Sequence, residues 1–287
     1  MTLRTILIPV DGTDESNRSL EQGLLLGRQM DSHIDALHVR SDPKDTVPLL
    51  GEGMSVAMIE DMMDIAEKEG VSRSSRARQA FDAAVQKHSA LVTETPAATG
   101  FSARWLEETG REDDAVAAHG RLADLIVAAR PTETSDVSTN LTLNAALFET
   151  GRPVLVVPPK EPMEIGRKIV ISWNGSVQAA RAVASAMPVL RAAESVTVFT
   201  VDSGRTSGDR APELASYLVW HGISARMQTI SGPSSTVGPK LMDDVHAEEA
   251  DLLVMGAYTH SRMRQLILGG VTRHILENAD LPVMMAH

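Results

Sequence analysis

A chain of 287 residues with 43% hydrophobic content can bury a sizeable core, and it is long enough for one large or two ordinary α/β domains. Aromatics are only 3% and cysteine is absent, so the core must be aliphatic, and disulfides, thiolate chemistry and Cys-based zinc sites are excluded. The net charge of −11 argues against a nucleic-acid partner, and no apolar stretch approaches the ~20 residues of a membrane span.

The first predicted element is the strand in Met1-TLRTILIPVD, where one basic residue and a short apolar run that meets Pro9 and Asp11 do not make a signal peptide. A cytoplasmic location is therefore expected. A turn at Asp11-GT follows, then a helix through Leu20–Met30 and a second strand, Ile34-DALHV. Thr13 is placed to cap that helix, and Asp14 and Glu15 to charge its first turn. Residues of about 41–90 form a helical insert. Met58, Ile59, Met62, Met63, Ile65 and Ala66 lie on one stripe, and Ala80, Phe81, Ala84 and Val85 on another. Such stripes are expected to cover the sheet, although methionines can also line a lipid or partner groove. Strands at Ala123-DLIVAAR and Arg152-PVLVVPP complete the first half.

Pro158-PKEPMEIG can continue neither a helix nor a central strand, so residues 158–166 read as a linker between a first domain, 1–157, and a second, 167–287. The second half then repeats the first. Arg167-KIVISWNGSVQAARAVASAM matches Arg4-TILIPVDGTDESNRSLEQGL, with Asn174 on Asp11, Gly175 on Gly12 and Ser176 as the helix cap. Val196-TVFTV, Ala250-DLLVMGA and Leu281-PVMM supply its further strands. Continuous Val/Ile/Leu strands that alternate with helices of ten or more residues indicate parallel sheets. The expected fold class is α/β, two tandem doubly wound open sheets of about five strands each.

The chemistry concentrates late in the chain. After Gly256 comes a polar loop, Ala257-YTHSRMRQLIL, and then Gly269 and Gly270 open a helix carrying Val271 and Thr272 in its first turn. A strand, a loop and a helix N-terminus reached through glycines present backbone N–H groups to a phosphate. Arg262 and Arg264 would lend charge there, and His260 and Ser261 polar contacts. Trp173 is either a core plug or a cover over an adenine-sized pocket. The second half also repels an anion less. Residues 1–160 carry 16 basic and 25 acidic side chains, whereas residues 161–287 carry 11 and 13. Metal-binding HExxH, a Walker loop, GxGxxG, GxSxG and the Ser-Gly-Gly loop of ATP pyrophosphatases are all missing.

Three of these segments resemble the universal stress proteins in their tandem two-domain form: Ile6-LIPVDGTDES, Gly256-AYTHSRMRQLILGGVT and Ala279-DLPVMM. The family implies a Rossmann-like fold and a stress-response regulatory role. Its nucleotide-binding members carry Gly, two residues, Gly, nine residues, Gly and then Ser or Thr. On that pattern Gly256 and Gly269 fall on the first and third glycines, Thr259 replaces the second, and Gly270 replaces the Ser/Thr. The family's first-strand Asp, which contacts adenosine, is Asn174 here. The first half keeps this residue as Asp11, but Ala129-RPTETSDVSTNLTLNA has no glycine. The resemblance thus implies ATP, ADP or AMP, with Mg²⁺, in the second half. It implies pairing of the halves through the strands around Val154 and Val283, and leaves a homodimer open. Three functions are carried forward: a nucleotide-binding regulator, an interaction protein acting by surface contacts or through an apolar ligand, and at most a slow ATPase.

Overall fold

The computed structural model describes residues 3–42, 56–95, 100–202, 211–231, 234–258 and 270–287. The first half runs β1 (Thr5–Pro9), α1 (Asp14–Met30), β2 (His33–Arg40), α2 (Val56–His88), β3 (Leu91–Val92), β4 (Ser102–Thr109), α3 (Glu112–Gly120), β5 (Leu125–Ala129), α4 (Val137–Glu149) and β6 (Val154–Val157). The second runs β7 (Lys168–Trp173), α5 (Val177–Leu190), β8 (Ser195–Asp202), α6 (Ala211–Trp220), β9 (Ala225–Ser231), α7 (Ser234–Ala247), β10 (Leu252–Gly256), α8 (Gly270–Asn278) and β11 (Val283–Ala286).

The two expected parallel sheets are joined into one. Strand order is β3-β4-β2-β1-β5-β6-β11-β10-β7-β8-β9, and every neighbouring pair is parallel except β6 with β11. There Val283 lies opposite Val156 and Met285 opposite Val154 in antiparallel register. Each strand near this seam feeds both faces of the sheet, because side chains alternate with period two. Leu155, Val157, Met284 and Ala286 enter one core layer; Val154, Val156, Val283 and Met285 enter the other. Both layers therefore run through the seam without a break. Fully apolar strands such as Val154-LVV are stable here only because helices cover both faces.

The helix starts follow the predicted caps. Thr13 Oγ1 accepts the Ser16 N–H at 3.2 Å, and Ser176 Oγ accepts the Ala179 N–H at 3.1 Å. Asp14 and Glu15 occupy the first turn of α1. The segment between β6 and β7 is strapped down. The Gln22 side chain both donates to the Met163 carbonyl (2.8 Å) and accepts from its N–H (3.1 Å), while Ile165 is buried in the core.

The insert contains one 33-residue helix, α2, whose two ends differ. Ala77, Phe81, Ala84, Val85 and His88 are buried at helical spacing, and Phe81 packs 5.4 Å from the Trp105 ring. The methionine end does not cover the sheet as expected, since Met58 and Ile65 are exposed and Met62 and Met63 only half-buried. The physical reason is reach. Helix α2 rises about 1.5 Å per residue, and its C-terminal half already packs on α1, on β2 and on Trp105 of β4. Among the described residues no helix is long and apolar enough to cross a membrane.

Candidate functional site

In doubly wound sheets the ligand crevice opens at the C-terminal ends of the strands where strand order reverses. Each half has such a point, after β1 and β5 and after β7 and β10. The turns after β1 and β7 fold alike, but their surroundings differ.

In the first half a small crevice open to solvent lies between Pro9, Asp11, Thr13, Glu112, Ala129 and Thr142. Asp11 is committed to its own turn. Its Oδ1 accepts from the Thr13 N–H (2.9 Å) and from the Thr13 hydroxyl (2.7 Å). Helix α2 lies directly over that turn: at Gly12, φ +83°, a Cβ would stand 2.9 Å from the Arg73 carbonyl oxygen and 3.0 Å from the Ala77 nitrogen. Arg73 then crosses to the start of α4, where its guanidinium is 3.5 Å from the Asp136 carboxylate. Glu112, on the first turn of α3, accepts the Thr142 hydroxyl at 2.7 Å. Burial pushes its carboxyl up to about 7, with the Asp11 and Asp113 charges adding to the rise and Thr142 and Arg73 opposing it. An acid-lined crevice beneath a helix is a poor seat for a triphosphate. Glu112, Arg73 and the placement of α2 over the Asp11 turn were not identified from sequence. Their contacts join residues far apart in the chain and have no local signature.

The fold holds more protons on Glu112 than the unfolded chain does between its ordinary carboxylate pKa and about 7. Its contribution to stability is therefore fully present below about 4.5 and is lost as pH rises to about 7, an effect on the order of 3 kcal/mol at 1.36 kcal/mol per pKa unit. Urea unfolding at pH 5 and pH 8 should show this loss in the native chain and a flat profile in Glu112→Gln. A pH dependence shared equally by both proteins would contradict the assignment.

Among the described residues, the second half shows neither a helix over its turn nor a cluster of acids beside it. Asn174 is exposed, and its Oδ1 accepts the Ser176 N–H at 3.1 Å, the counterpart of the Asp11 turn. Trp173 is half-buried against the core with its Nε1 buried and unpartnered among the described residues, so it acts as a plug at the end of β7. Gly256 ends β10 against the first turn of α5, where a Cβ would lie 2.5 Å from the Ala179 nitrogen and 2.8 Å from the Gln178 carbonyl carbon. That position therefore needs glycine for close packing. Helix α8 begins at Gly270, which is exposed, with open space where a Cβ would project. Val271 is half-buried, and Thr272 is buried with its hydroxyl accepting the Tyr258 N–H at 3.5 Å. Thr272 thus ties Tyr258 to the first turn of α8. Thr259, His260, Ser261, Arg262, Arg264 and Gly269 lie outside the described residues.

Tyr258 stands at φ +52°, its ring 4.9 Å from Phe148 of α4, and burial raises its pKa. The equivalent loop of the first half reaches the other way. Arg130, just beyond β5, donates Nη1 to the Leu276 and Glu277 carbonyls at 3.0 and 2.6 Å, at the C-terminus of α8. Sequence reading passed over Tyr258, Phe148 and Arg130. The only available signal was a charge at the end of an apolar strand, Ala123-DLIVAAR.

Fold and crevices define a tandem doubly wound α/β protein with two switch points, the first of them overlaid by α2. The family model for the universal stress protein family matches residues 2–134 and 232–287, and the chain belongs to that family. The universal stress protein Slr1230 of Synechocystis is 23% identical over 308 residues, covering 98% of this chain and 99% of that protein. In fold the chain is similar to a universal stress protein from Archaeoglobus fulgidus, with TM-score 0.66 and 16% identity over 99% of this chain and 96% of that one. It is also similar to PA1789 of Pseudomonas aeruginosa, a functionally unknown protein, with TM-score 0.57 and 12% identity over 98% and 92%.

Proposed function

We propose that the second half binds an adenine nucleotide, and that the chain acts as a cytoplasmic stress-response regulator whose contacts depend on that nucleotide. The base and ribose would lie over the ends of β7 and β10 near Asn174 and Gly256, with the phosphates facing the N–H groups at Gly270, Val271 and Thr272. The observation that carries this reading is the N-terminus of α8, where Gly270 is exposed and no described atom lies within 4 Å of an added Cβ, set against a first-half crevice that is acidic and overlaid by α2. A helix N-terminus with free N–H groups and partial positive charge favours phosphate. Mg²⁺ would arrive with the nucleotide, since no cluster of three or more His, Asp or Glu able to hold a metal exists among the described residues.

Mass spectrometry of the denatured, purified protein should release ATP, ADP or AMP, and calorimetry should give a saturable ATP isotherm. Gly270→Val adds a side chain into open space, with no positive φ to strain it. The variant should keep its melting temperature within about 2 °C, the scale of a few tenths of a kcal/mol, and lose ATP affinity at least about tenfold through blocked phosphate approach. Unchanged affinity would remove the site from this helix.

One observation favours the interaction-protein reading. On α6, Val219 and Trp220 are 64% and 89% exposed, an apolar surface without cover among the described residues. A flat ATP titration with no co-purified nucleotide would make this the working function. ATP hydrolysis assayed with and without Mg²⁺ decides the weak-ATPase alternative.

A further inference from the structure

The loops at the two switch points each contact the last helix of the opposite half. Arg130 leaves the end of β5 and closes on the last-turn carbonyls of α8, Leu276 and Glu277. A guanidinium at a helix C-terminus satisfies orphan carbonyls and opposes the negative end of the helix dipole. Burial lowers the Arg130 pKa, and its Nε has no hydrogen-bond partner among the described residues. In the other direction, Tyr258 leaves the end of β10 and sets its ring on Phe148 of α4, while the His287 ring meets the same Phe148 edge-on at 5.0 Å. The Tyr258 N–H bonds the Thr272 hydroxyl in the first turn of α8. Helix α8 is thereby held at its C-terminal end by the first half directly, and at its N-terminal end through Tyr258 and Phe148.

We propose that Arg130 and Phe148 are positioning residues for the second-half site: the first half sets the pose of α8, and occupancy of its N-terminus is transmitted back to α4 and the β5 loop. The linkage is reciprocal, as any coupling between a site and a conformational equilibrium must be. It rests on the nucleotide reading above for the identity of the occupant, but the cross-half linkage itself does not. Helix α8 has only nine residues and its first turn carries the phosphate-facing groups, so a tilt of its C-terminal end displaces the N–H groups at the other end. The first half thus contributes to a site none of whose contacts with ligand it supplies.

The test uses the full chain with Arg130→Met, Arg130→Lys and Phe148→Leu, and Leu218→Ala in the core under α6 as a control for destabilisation alone. Arg130→Met and Phe148→Leu should weaken ATP binding about tenfold, inside the roughly 5–150-fold range of coupled sites. Arg130→Lys should recover part of the loss, and Leu218→Ala should leave affinity within about twofold of the native chain. Equal losses in the control and the two seam variants would show a merely structural brace and overturn the proposal. So would native affinity in both seam variants. Amide exchange without nucleotide separates this inference from the nucleotide reading. The Tyr258 amide, bonded to Thr272, should exchange about tenfold faster in Arg130→Met and in Phe148→Leu than in the native chain. If the native chain binds no ATP while Tyr258 responds in this way, the linkage stands and the occupant is wrong. If Tyr258 is unmoved in both variants, the linkage is refuted whatever the chain binds.

Discussion

Gly256→Val unfolds the second half or costs it more than about 3 kcal/mol, at or beyond the upper end of what overpacking a filled core usually costs. The collision is with backbone. The nitrogen of Ala179 and the carbonyl carbon of Gln178 belong to the first turn of α5, whose start is fixed by the Ser176 cap. Neither atom can turn aside as a flexible side chain would, so α5 must lift off β10. Lifting it exposes Ala182, Val183 and Ala186, which are buried in the core. The first half offers an internal comparison. The matching position there is Ala129, which lines a crevice. Urea unfolding followed by circular dichroism and by the fluorescence of Trp173, a neighbour in the same half, reports the loss. A midpoint equal to the native one would show that α5 does not rest on this glycine.

Phe81→Ala costs about 3–5 kcal/mol, the range for a large aromatic removed from a core that cannot collapse around the gap. Phe81 is completely buried and packs on Trp105, which in turn stacks on His38 at 5.7 Å. Its loss frees the central turns of α2, the same stretch that carries Ala77 and Arg73 onto the Gly12 turn. Unfolding should become less cooperative in the first half, with protease cutting inside residues 70–88 before the rest of the chain. ATP affinity in the second half should stay within about twofold, because distant sites without shared partners behave additively. Native stability in Phe81→Ala would mean that α2 is not a structural cover, and the burial argument would fail.

Much of the architecture was legible in the sequence because it is written in local patterns. Continuous Val/Ile/Leu runs gave the strands, hydroxyls at Thr13 and Ser176 the helix starts, and the shifted repeat gave the two halves. The resemblance to the family gave the edge at Val154 and Val283 where they meet. The fusion of two sheets into one was not legible, because antiparallel register between β6 and β11 depends on how two finished halves face each other. The position of α2 over Gly12 was hidden for the same reason, and so was the difference between the buried Phe81 end and the exposed Met58 end of one long stripe. At the candidate site, the glycine loop carried the expectation of a phosphate, whereas the bonds of Arg130 to α8 and the ring contact of Phe148 with Tyr258 join the two halves and had no local signature. A period in a sequence reports which face is apolar, and it does not report what that face will meet.

The central seam also constrains how the chain can be made. Strand β6 is synthesised long before β11, its neighbour in the finished sheet. During that interval Val154-LVV has a bare outer edge, four apolar residues whose free N–H and C=O groups could pair with another nascent chain. The flanks restrict that hazard. Pro153 precedes the strand and Pro158 and Pro159 follow it, with Arg152 and Lys160 just outside. Prolines deny the edge further donors, and the charges repel a second copy, so the exposed template is held to a single short strand. The brevity of β6 then serves the ribosome-bound chain as much as the folded one, limiting aggregation while the second half is still being translated.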